Sequence, residues 1–511
     1  MFKKIIKNTT ILSTGTLFSR LLGFIRDVLI AKFFGTGVLL EAFIVAFRLP
    51  NLFRGLLGEG FSDSVAVPLL ADYSKDKSKL FIIGNHLFLV FSVILSLFTI
   101  SGVICSKYLV MAIAPGFLTQ PEKFHLAVFF TKITFFYLFL MGLTANLQSL
   151  LYSLKKFLIP AFSPSLLNLS FIIGILFFVS SFKNYVLIIS VLMAGVLQFL
   201  LHFFYIRRKG FRLKFDFKNA FRDKVVKKMF KLFLPRIWSA AVYNLNVFVD
   251  TILSSLTHIV GEGALAAIYY SNRLIQLPLA LIGISISRVA TVDLAKFSCE
   301  GNWDDFKKLF VFSMQNIFFF TIPITFIFLF LPDGLLDVLF KRGEFNQYSL
   351  EITSSALFFY SFGLLFFCMI KVLVHTFYSL KDTITPARTS FFSLLINIIL
   401  SSLFMFPLGI GGIALGSSLA SVFNFFFLYK LLVNKIGKID WQDTFGEVFK
   451  IVVISLLLGV ISRSLWENLV FSKYVKIFIV LLTDFAIFLI GAVGFKLKQI
   501  NYIKKMVKGK I

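Results

Sequence analysis

Long apolar segments recur along the whole chain, each bounded by charged residues, glycine or proline. We count fourteen of them, near residues 5–33, 37–58, 82–113, 125–152, 157–180, 184–206, 232–256, 262–290, 306–331, 350–378, 386–408, 411–434, 447–466 and 474–496. An α-helix needs about 20 mostly apolar residues to cross the hydrocarbon core of a bilayer. The pattern therefore predicts an all-α polytopic membrane protein with fourteen transmembrane helices.

Composition agrees with that fold class. Of the 511 residues, 58% are hydrophobic and 15% are charged, which is more apolar surface than a soluble protein can bury. The net charge of +27 would also suit a nucleic-acid-binding protein, but the basic residues are concentrated in short loops between the apolar segments. A bilayer explains that distribution better, so we expect no nucleic-acid partner.

The distribution of lysine and arginine among the loops predicts the orientation of the chain. One set of loops carries most of them, namely Lys3, Lys4, Lys7, Lys75, Lys77, Lys79, Lys155, Lys156, those of 207–231, Lys307, Lys308, Lys381, Arg388, Lys430, Lys435, Lys438 and those of 496–510. Cytoplasmic loops carry such an excess, so both termini are expected in the cytoplasm. The apolar stretch behind the basic N terminus lacks a small-residue cleavage site, and we interpret it as a retained first helix rather than a signal peptide.

An internal repeat relates the two halves of the chain. The stretch Tyr152-Ser153-Leu154-Lys155, followed by Pro160-Ala161, returns in the second half as Tyr378-Ser379-Leu380-Lys381, followed by Pro386-Ala387 at the same spacing. Each copy holds six spans, and an even number predicts two pseudo-symmetric six-helix lobes of the same orientation, related by an axis along the membrane normal.

We divide the chain accordingly into four parts. Residues 1–206 form an N-lobe with spans one to six, residues 207–231 a basic cytoplasmic linker, and residues 232–435 a C-lobe with spans seven to twelve. Residues 436–511 add two C-terminal helices and a basic cytoplasmic tail, outside the repeat.

The first two apolar segments contain charged residues, which are unexpected in transmembrane helices. They are Arg20, Arg26, Asp27, Glu41, Arg48, Arg54 and Glu59. A charge facing lipid at mid-membrane depth costs about 2.5–3.5 kcal/mol on insertion scales, so these side chains must face protein or water. Two interpretations follow: a cationic site for an anionic substrate, or charges that snorkel or pair internally and hold two helices together, Arg26 with Glu41 for example.

Helix geometry gives these charges a partly shared face. Arg20, Gly23 and Asp27 stack on one side of a helix, whereas Arg26 lies about 120° away from Arg20 and needs a bend or a wide cavity to join them. Pro50 can kink the second helix, and Arg48 either contacts substrate or packs at that proline.

The eighth apolar segment also contains a charged residue. Arg273 lies in an apolar helix beside Asn272, Gln276 and the helix breaker Pro278. It aligns with Arg48 at nearly the same offset as the one that relates the two copies of the repeat. This symmetry favours a contribution from the second lobe to one central site, with helix stapling as the alternative. Asp250 is an isolated carboxylate in the seventh segment, where it can pair with a basic residue, carry a proton or bind a cation.

No sequence motif indicates an enzyme. The chain has no P-loop, no G-x-S-x-G and no paired carboxylates in a soluble domain, and its three cysteines and five histidines follow neither disulfide nor zinc spacings. We therefore expect a transporter rather than an enzyme, driven by an ion gradient or the membrane potential.

Five segments in order resemble one known family. They are F-S-R-L-L-G-F-I-R-D at 18–27, E-A-F-I-V-A-F-R-L-P-N-L-F-R at 41–54, G-E-G-F-S-D-S-V-A-V-P at 58–68, F-K-R-G-E-F at 340–345 and F-Y-S-L-K-D-T-I-T-P-A at 377–387. Together with the fourteen spans they resemble the MurJ (MviN) lipid II flippases of the multidrug/oligosaccharidyl-lipid/polysaccharide exporter superfamily.

The resemblance implies two six-helix lobes in a V around a central cavity, with two final helices forming a groove for a polyprenyl tail. Arginines corresponding to Arg20, Arg26, Arg54 and Arg273 then engage the lipid diphosphate, and Asp27, Glu41 and Glu59 fall on further functional positions. A sodium site of the family maps to Asp250 and Asn397, but Ser401 replaces an aspartate there. We therefore expect weak sodium binding at most, with the membrane potential as the driving force, and no other cofactor.

These observations predict a flippase of the bacterial cytoplasmic (inner) membrane. It would move undecaprenyl-diphosphate-linked peptidoglycan precursor, lipid II, from the inner to the outer leaflet by alternating access, as a monomer in the lipid bilayer. Three alternatives stay open: a flippase for another lipid-linked oligosaccharide, a cation-coupled drug exporter of the same fold, and a non-transporting scaffold. The excess of arginine over carboxylate argues against the exporter, since drug cations prefer acidic cavities.

Overall fold

The computed structural model describes residues 2–55, 60–62 and 65–500, and leaves the side chains of residues 2–9, 49, 54 and 234–244 undescribed. Its regular secondary structure in these ranges is helical, with no strand. The fold class predicted from the apolar segments, an all-α polytopic membrane protein, is therefore confirmed.

The chain divides into two compact units, Met1–Leu256 and Thr257–Ile511. The first contains α1 Phe2–Phe34, α2 Val38–Gly55, α3 Val67–Ala71, α4 Lys77–Ile104, α5 Ser106–Ile113, α6 Pro121–Ser153, α7 Leu158–Phe182, α8 Val186–Arg207, α9 Phe217–Arg222 and α10 Lys224–Ser254. The lobe boundaries proposed from the repeat stay a prediction.

The second unit contains the remaining helices. These are α11 Thr257–Val260, α12 Ala264–Pro278, α13 Ser285–Glu300, α14 Trp303–Phe330, α15 Pro332–Leu339, α16 Gln347–Ser379, α17 Ile384–Leu408, α18 Ile410–Ile436, α19 Gln442–Asn468 and α20 Lys473–Gly494. A π-helical turn, Leu279–Ile284, joins α12 to α13. The chain thus stays helical past Pro278, the proline expected to break this helix.

Eleven helical segments in the described part are long and apolar enough to cross a membrane. They correspond to α4, α6, α7, α8, α12 with α13, α14, α16, α17, α18, α19 and α20. The helices α1, α2 and α10 occupy the positions of the first, second and seventh predicted spans. The count of fourteen stays a prediction.

The internal repeat is visible in the helix boundaries. The helices α4, α6 and α7 have 28, 33 and 25 residues, and α14, α16 and α17 have the same three lengths. They begin at residues 77, 121 and 158, and at 303, 347 and 384, so the three pairs share one offset, the same as that between Tyr152 and Tyr378. The two copies therefore fold into the same succession of helices.

The repeated turn also has the same backbone conformation in both copies. Lys155 and Lys381, both directly after the repeated Tyr-Ser-Leu, have φ angles of 57° and 59°. Their amide groups donate to the carbonyls of Tyr152 and Tyr378, at 2.9 and 3.0 Å. A left-handed lysine costs about 1–2 kcal/mol relative to glycine, so the tight reversal between two long helices, rather than the local preference of lysine, decides this conformation.

Small residues let helices approach closely within each unit. A Cβ placed on Gly15 of α1 would lie 2.5 Å from the carbonyl oxygen of Ala161 on α7. In the second unit, a Cβ on Gly416 of α18 would lie 2.2 Å from Ser401 Oγ on α17. Such contacts are typical of helix packing in membranes, where close van der Waals approach replaces the hydrophobic driving force.

Candidate functional site

Arg26 of α1 is held by three side chains of the first unit. Its Nε and Nη2 atoms donate to Asp27 Oδ1 at 3.0 and 2.7 Å, and Nη1 donates to Asn168 Oδ1 on α7 at 2.9 Å. The guanidinium carbon also lies 5.6 Å from the centroid of the Phe171 ring. Only 11% of the Arg26 side chain and 7% of the Asp27 side chain are exposed, so the plane of this guanidinium is set by its surroundings.

Asn168 connects this arginine to the preceding turns of α1. Its Nδ2 donates to the carbonyl oxygen of Ser19 at 2.8 Å, and Gly23 leaves room for the amide, since a Cβ there would lie 3.5 Å from Nδ2. The helix α1 is continuous through Arg26. The long side chain of Arg26 therefore reaches Asn168 on α7 from a continuous helix, and the bend or wide cavity expected for joining Arg26 to the face of Arg20 stays a prediction.

Arg20 has a different environment from Asp27, although both were predicted on one face. Asp27 is buried at 5% exposure, whereas Arg20 is exposed between the exposed side chains of Leu17 and Leu21. The predicted face is therefore split along its length: its later part packs on α7 and its earlier part lies at the surface of the unit.

Glu41 of α2 forms a buried ion pair with Lys123 of α6. The side chains are 1% and 2% exposed, and the Lys123 ammonium lies 4.4 Å from the centroid of the Phe117 ring. The example of an Arg26–Glu41 pair was wrong in its partners, because the described carboxylate next to Arg26 is Asp27. Glu41 instead connects α2 to α6.

Three further charges of the first unit were predicted at the site. Arg48 is half-buried on α2 and precedes Pro50, which lies inside the helix. The side chain of Arg54 and the whole of Glu59 lie outside the described residues. Their roles stay predictions.

Arg273 of α12 is oriented by an aromatic residue one turn earlier. Its Nη2 donates to the hydroxyl of Tyr269 at 3.0 Å, and its guanidinium carbon lies 4.8 Å from the centroid of that ring. A cation over an aromatic face is stabilised by the ring quadrupole. The neighbouring Ser271 donates to the carbonyl of Thr353 on α16 at 3.0 Å, which anchors this part of α12.

The two residues proposed for sodium lie on described helices, and the site itself stays a prediction. Asp250 lies on α10 and Asn397 on α17, in the two different compact units. Asn397 Oδ1 accepts from Ser401 Oγ at 2.8 Å and from Ser417 Oγ at 3.2 Å. Two donors engage both lone pairs of an amide oxygen. Among the described residues, no cluster of three His, Cys, Asp or Glu side chains is suited to a metal ion.

Sequence reasoning missed the partners of these charges. Neither Asn168 nor Lys123 was predicted at the site. The signal was present for Asn168, because a lone amide in an otherwise apolar segment requires a polar partner in the membrane. No comparable signal marks Phe171, one of many phenylalanines.

The arrangement is suited to anion recognition rather than to covalent chemistry. Guanidinium groups bind phosphate oxygens through parallel hydrogen bonds, and lysine lacks this planar geometry. Each compact unit, described by itself, contains one such oriented guanidinium: Arg26 in the first and Arg273 in the second.

Comparison with known proteins identifies relatives over most of the chain. The family model described as "Lipid II flippase MurJ" matches residues 30–484. A probable lipid II flippase MurJ of Buchnera aphidicola subsp. Schizaphis graminum is 32% identical over 99% of this chain and 100% of its own length. The probable lipid II flippase MurJ of Vibrio cholerae is 31% identical over 84% of this chain and 83% of its own.

Solved structures agree with the sequence matches. A structure titled lipid II flippase MurJ, inward closed conformation, superposes with a TM-score of 0.79 at 26% identity, over 95% of this chain and 98% of that one. An inward-facing multidrug resistance transporter of the MATE family, in the MOP superfamily, superposes with a TM-score of 0.66 at 13% identity, over 82% of this chain and 95% of that one. At that identity, the second likeness concerns the fold alone.

Proposed function

The chain belongs to the lipid II flippase MurJ family, and from this premise we propose that it moves lipid II from the inner to the outer leaflet of the bacterial cytoplasmic membrane by alternating access. It is a multi-pass membrane protein and a transporter, not an enzyme. The observation that carries the proposal is the match of family model and relatives over nearly the whole chain, in sequence and in helix order.

We propose that Arg20, Arg26, Arg54 and Arg273 bind the diphosphate of the lipid. The contacts that support this are those that orient two of the four: Asp27 and Asn168 at Arg26, and Tyr269 at Arg273. A guanidinium already held in one plane loses little conformational entropy when it binds phosphate oxygens. For Arg20 the support for diphosphate binding is its exposure rather than an orienting contact, since an exposed arginine in an apolar helix requires water or an anion beside it.

The remaining parts of the proposal concern topology, assembly and energy. We place both termini in the cytoplasm because of the loop charges, and we expect a monomer in the bilayer. The bonds of Ser401 and Ser417 to Asn397 support the membrane potential, rather than sodium, as the driving force. A drug exporter of the same fold gains no support beyond fold likeness.

The test is complementation of a strain depleted of its own lipid II flippase. We expect Arg20→Ala, Arg26→Ala, Arg54→Ala and Arg273→Ala to be present in the membrane yet to support growth poorly, and the lysine variants to rescue partly. Arg463→Ala is the matched control: this arginine bonds to Asp333 and Glu467, and losing a partly exposed pair costs only about 0–1 kcal/mol.

Two results would overturn the assignment of these arginines. One is normal growth of the Arg54→Ala and Arg273→Ala strains at ordinary membrane abundance. The other is failure to complement solely because the variants are missing from the membrane, which would show that the arginines hold helices together. Failure of wild-type protein to complement at normal abundance would instead overturn the proposed lipid II transport.

A further inference from the structure

The helix α20 has one acidic residue on a narrow buried strip. Its buried residues are Val480, Asp484 and Ala492, whereas Phe478, Leu482 and Phe485 are among its exposed side chains. Asp484 is 2% exposed and faces Ser462 of α19, whose Oγ lies 2.6 Å from Asp484 Oδ1. A carboxyl group therefore lies in the contact between the last two helices.

The hydroxyl of Ser462 has two short contacts and a single hydrogen. Its Oγ also lies 2.6 Å from the carbonyl oxygen of Leu458, which can only accept. If Ser462 donates to Leu458, it can bond to Asp484 only as the acceptor. The donor is then the carboxyl group itself, in its protonated form.

The surroundings of Asp484 agree with a neutral acid. Its Oδ2 is buried and has no hydrogen-bond partner among the described residues. An ionised carboxylate with one hydroxyl neighbour would be very costly in an apolar environment, whereas the protonated acid has no net charge to desolvate. Serine hydroxyls form hydrogen bonds across helices in membranes, and a neutral carboxylic acid can donate to such a hydroxyl.

The described ion pairs of the neighbouring helices join groups other than Asp484. On α19 and α15, the described ion pairs are Arg463 with Asp333 and Glu467, Lys450 with Glu447, Lys498 with Asp443, and Lys341 and Lys473 with Asp337. On α20 itself, Lys476 donates to the carbonyl of Trp466 at 3.2 Å. The helix α14 contacts α20 through Phe319 and carries its charges in residues 304–308. None of these described bonds involves Asp484.

We propose that Asp484 is a proton-binding site that controls the packing of α20 on α19. The bound proton resides on Asp484 Oδ1 and is donated to Ser462 Oγ, and on release it passes to water. The carboxylate left behind competes with Leu458 for the single hydroxyl hydrogen and attracts water into the contact. The proposal concerns the protonation of one helix pair and does not rest on the transport of lipid II.

Infrared spectroscopy of the reconstituted protein tests the protonation directly. We expect a carbonyl band of a neutral carboxylic acid at neutral pH that is missing from Asp484→Asn, and that shifts in Ser462→Ala because the hydrogen bond is lost. Glu447→Gln is the control, since Glu447 is also buried but bonds to Lys450 and to the amide of Lys498. A spectrum in which Asp484→Asn removes no such band would overturn the proposal.

Labelling of a cysteine beneath α20 tests the packing. Ile454 is buried and lies against Gly491 of α20. The labelled protein carries Ile454→Cys in a background without the exposed Cys105 and Cys299. We expect its rate of reaction with a maleimide to rise more steeply with pH than the rate of the same protein that also carries Asp484→Asn. The comparison removes the pH dependence of the thiol. Equal pH dependence with and without Asp484→Asn would refute control of packing by the proton.

Discussion

Removing one partner of the buried Glu41–Lys123 pair should destabilise the protein strongly. The variant Lys123→Met leaves Glu41, whose side chain is 1% exposed, as a buried charge without its cation, and breaking a buried pair in this way costs about 3–5 kcal/mol. At about 1.4 kcal/mol for each factor of ten, the ratio of folded to unfolded protein falls by a factor on the order of hundreds to thousands. The total free energy of unfolding of a typical domain is about 5–15 kcal/mol, so this loss is a large part of it.

The assay combines membrane abundance, thermal unfolding in detergent and complementation of the depleted strain. Lys296→Met is the matched control, because Lys296 and Glu300 form an exposed pair with side chains 66% and 51% exposed, which should contribute about 0–1 kcal/mol. If Lys123→Met destabilises the protein no more than Lys296→Met, the reasoning from burial is refuted.

The double variant Glu41→Gln/Lys123→Met separates stability from function. Without either charge, most of the lost stability should return, since replacing both members of a buried pair is often close to neutral. Growth of the stable double variant would show that Glu41 acts only by joining α2 to α6. A stable double variant that fails to complement would give Glu41 a part in transport.

Three further predictions concern coupling, topology and a helix cap. Flipping should persist when sodium is replaced by potassium at fixed membrane potential, and its disappearance would contradict the assignment of the driving force. A cysteine at position 215 and one in the C-terminal tail should react with a membrane-impermeant label only after the cells are opened; labelling from outside would reverse the topology. Burial would raise the pKa of Asp382, but hydrogen bonds from Lys435 and Thr385 lower it well below its usual value. The stabilising carboxylate is therefore present at neutral pH and lost as the pH falls through that lowered pKa. Asp382→Ala, which also removes a cap of the first turn of α17, should cost about 1 kcal/mol in thermal unfolding near neutral pH, and an unchanged midpoint would contradict this.

Features of the fold that depend on distance along the chain were predicted well from the sequence. The apolar segments indicated the all-α membrane fold, and the offset of the sequence repeat reappears in the starts of α4, α6 and α7 and of their counterparts. Five short segments pointed to the family that the relatives confirm. These signals are visible in the sequence because span length, periodicity and repeat spacing are local properties of a chain in a bilayer.

The partners of the intramembrane charges were decided by tertiary structure alone. The sequence placed Arg26, Glu41 and Arg273 in apolar helices and so required that each be satisfied. It left open that Arg26 would bond to Asn168, 142 residues away, and Glu41 to Lys123, 82 residues away. The physical reason is that side-chain pairing depends on which helix faces meet and on how far a long side chain reaches. Both depend on packing between helices that are distant in sequence, and composition and periodicity carry no record of it.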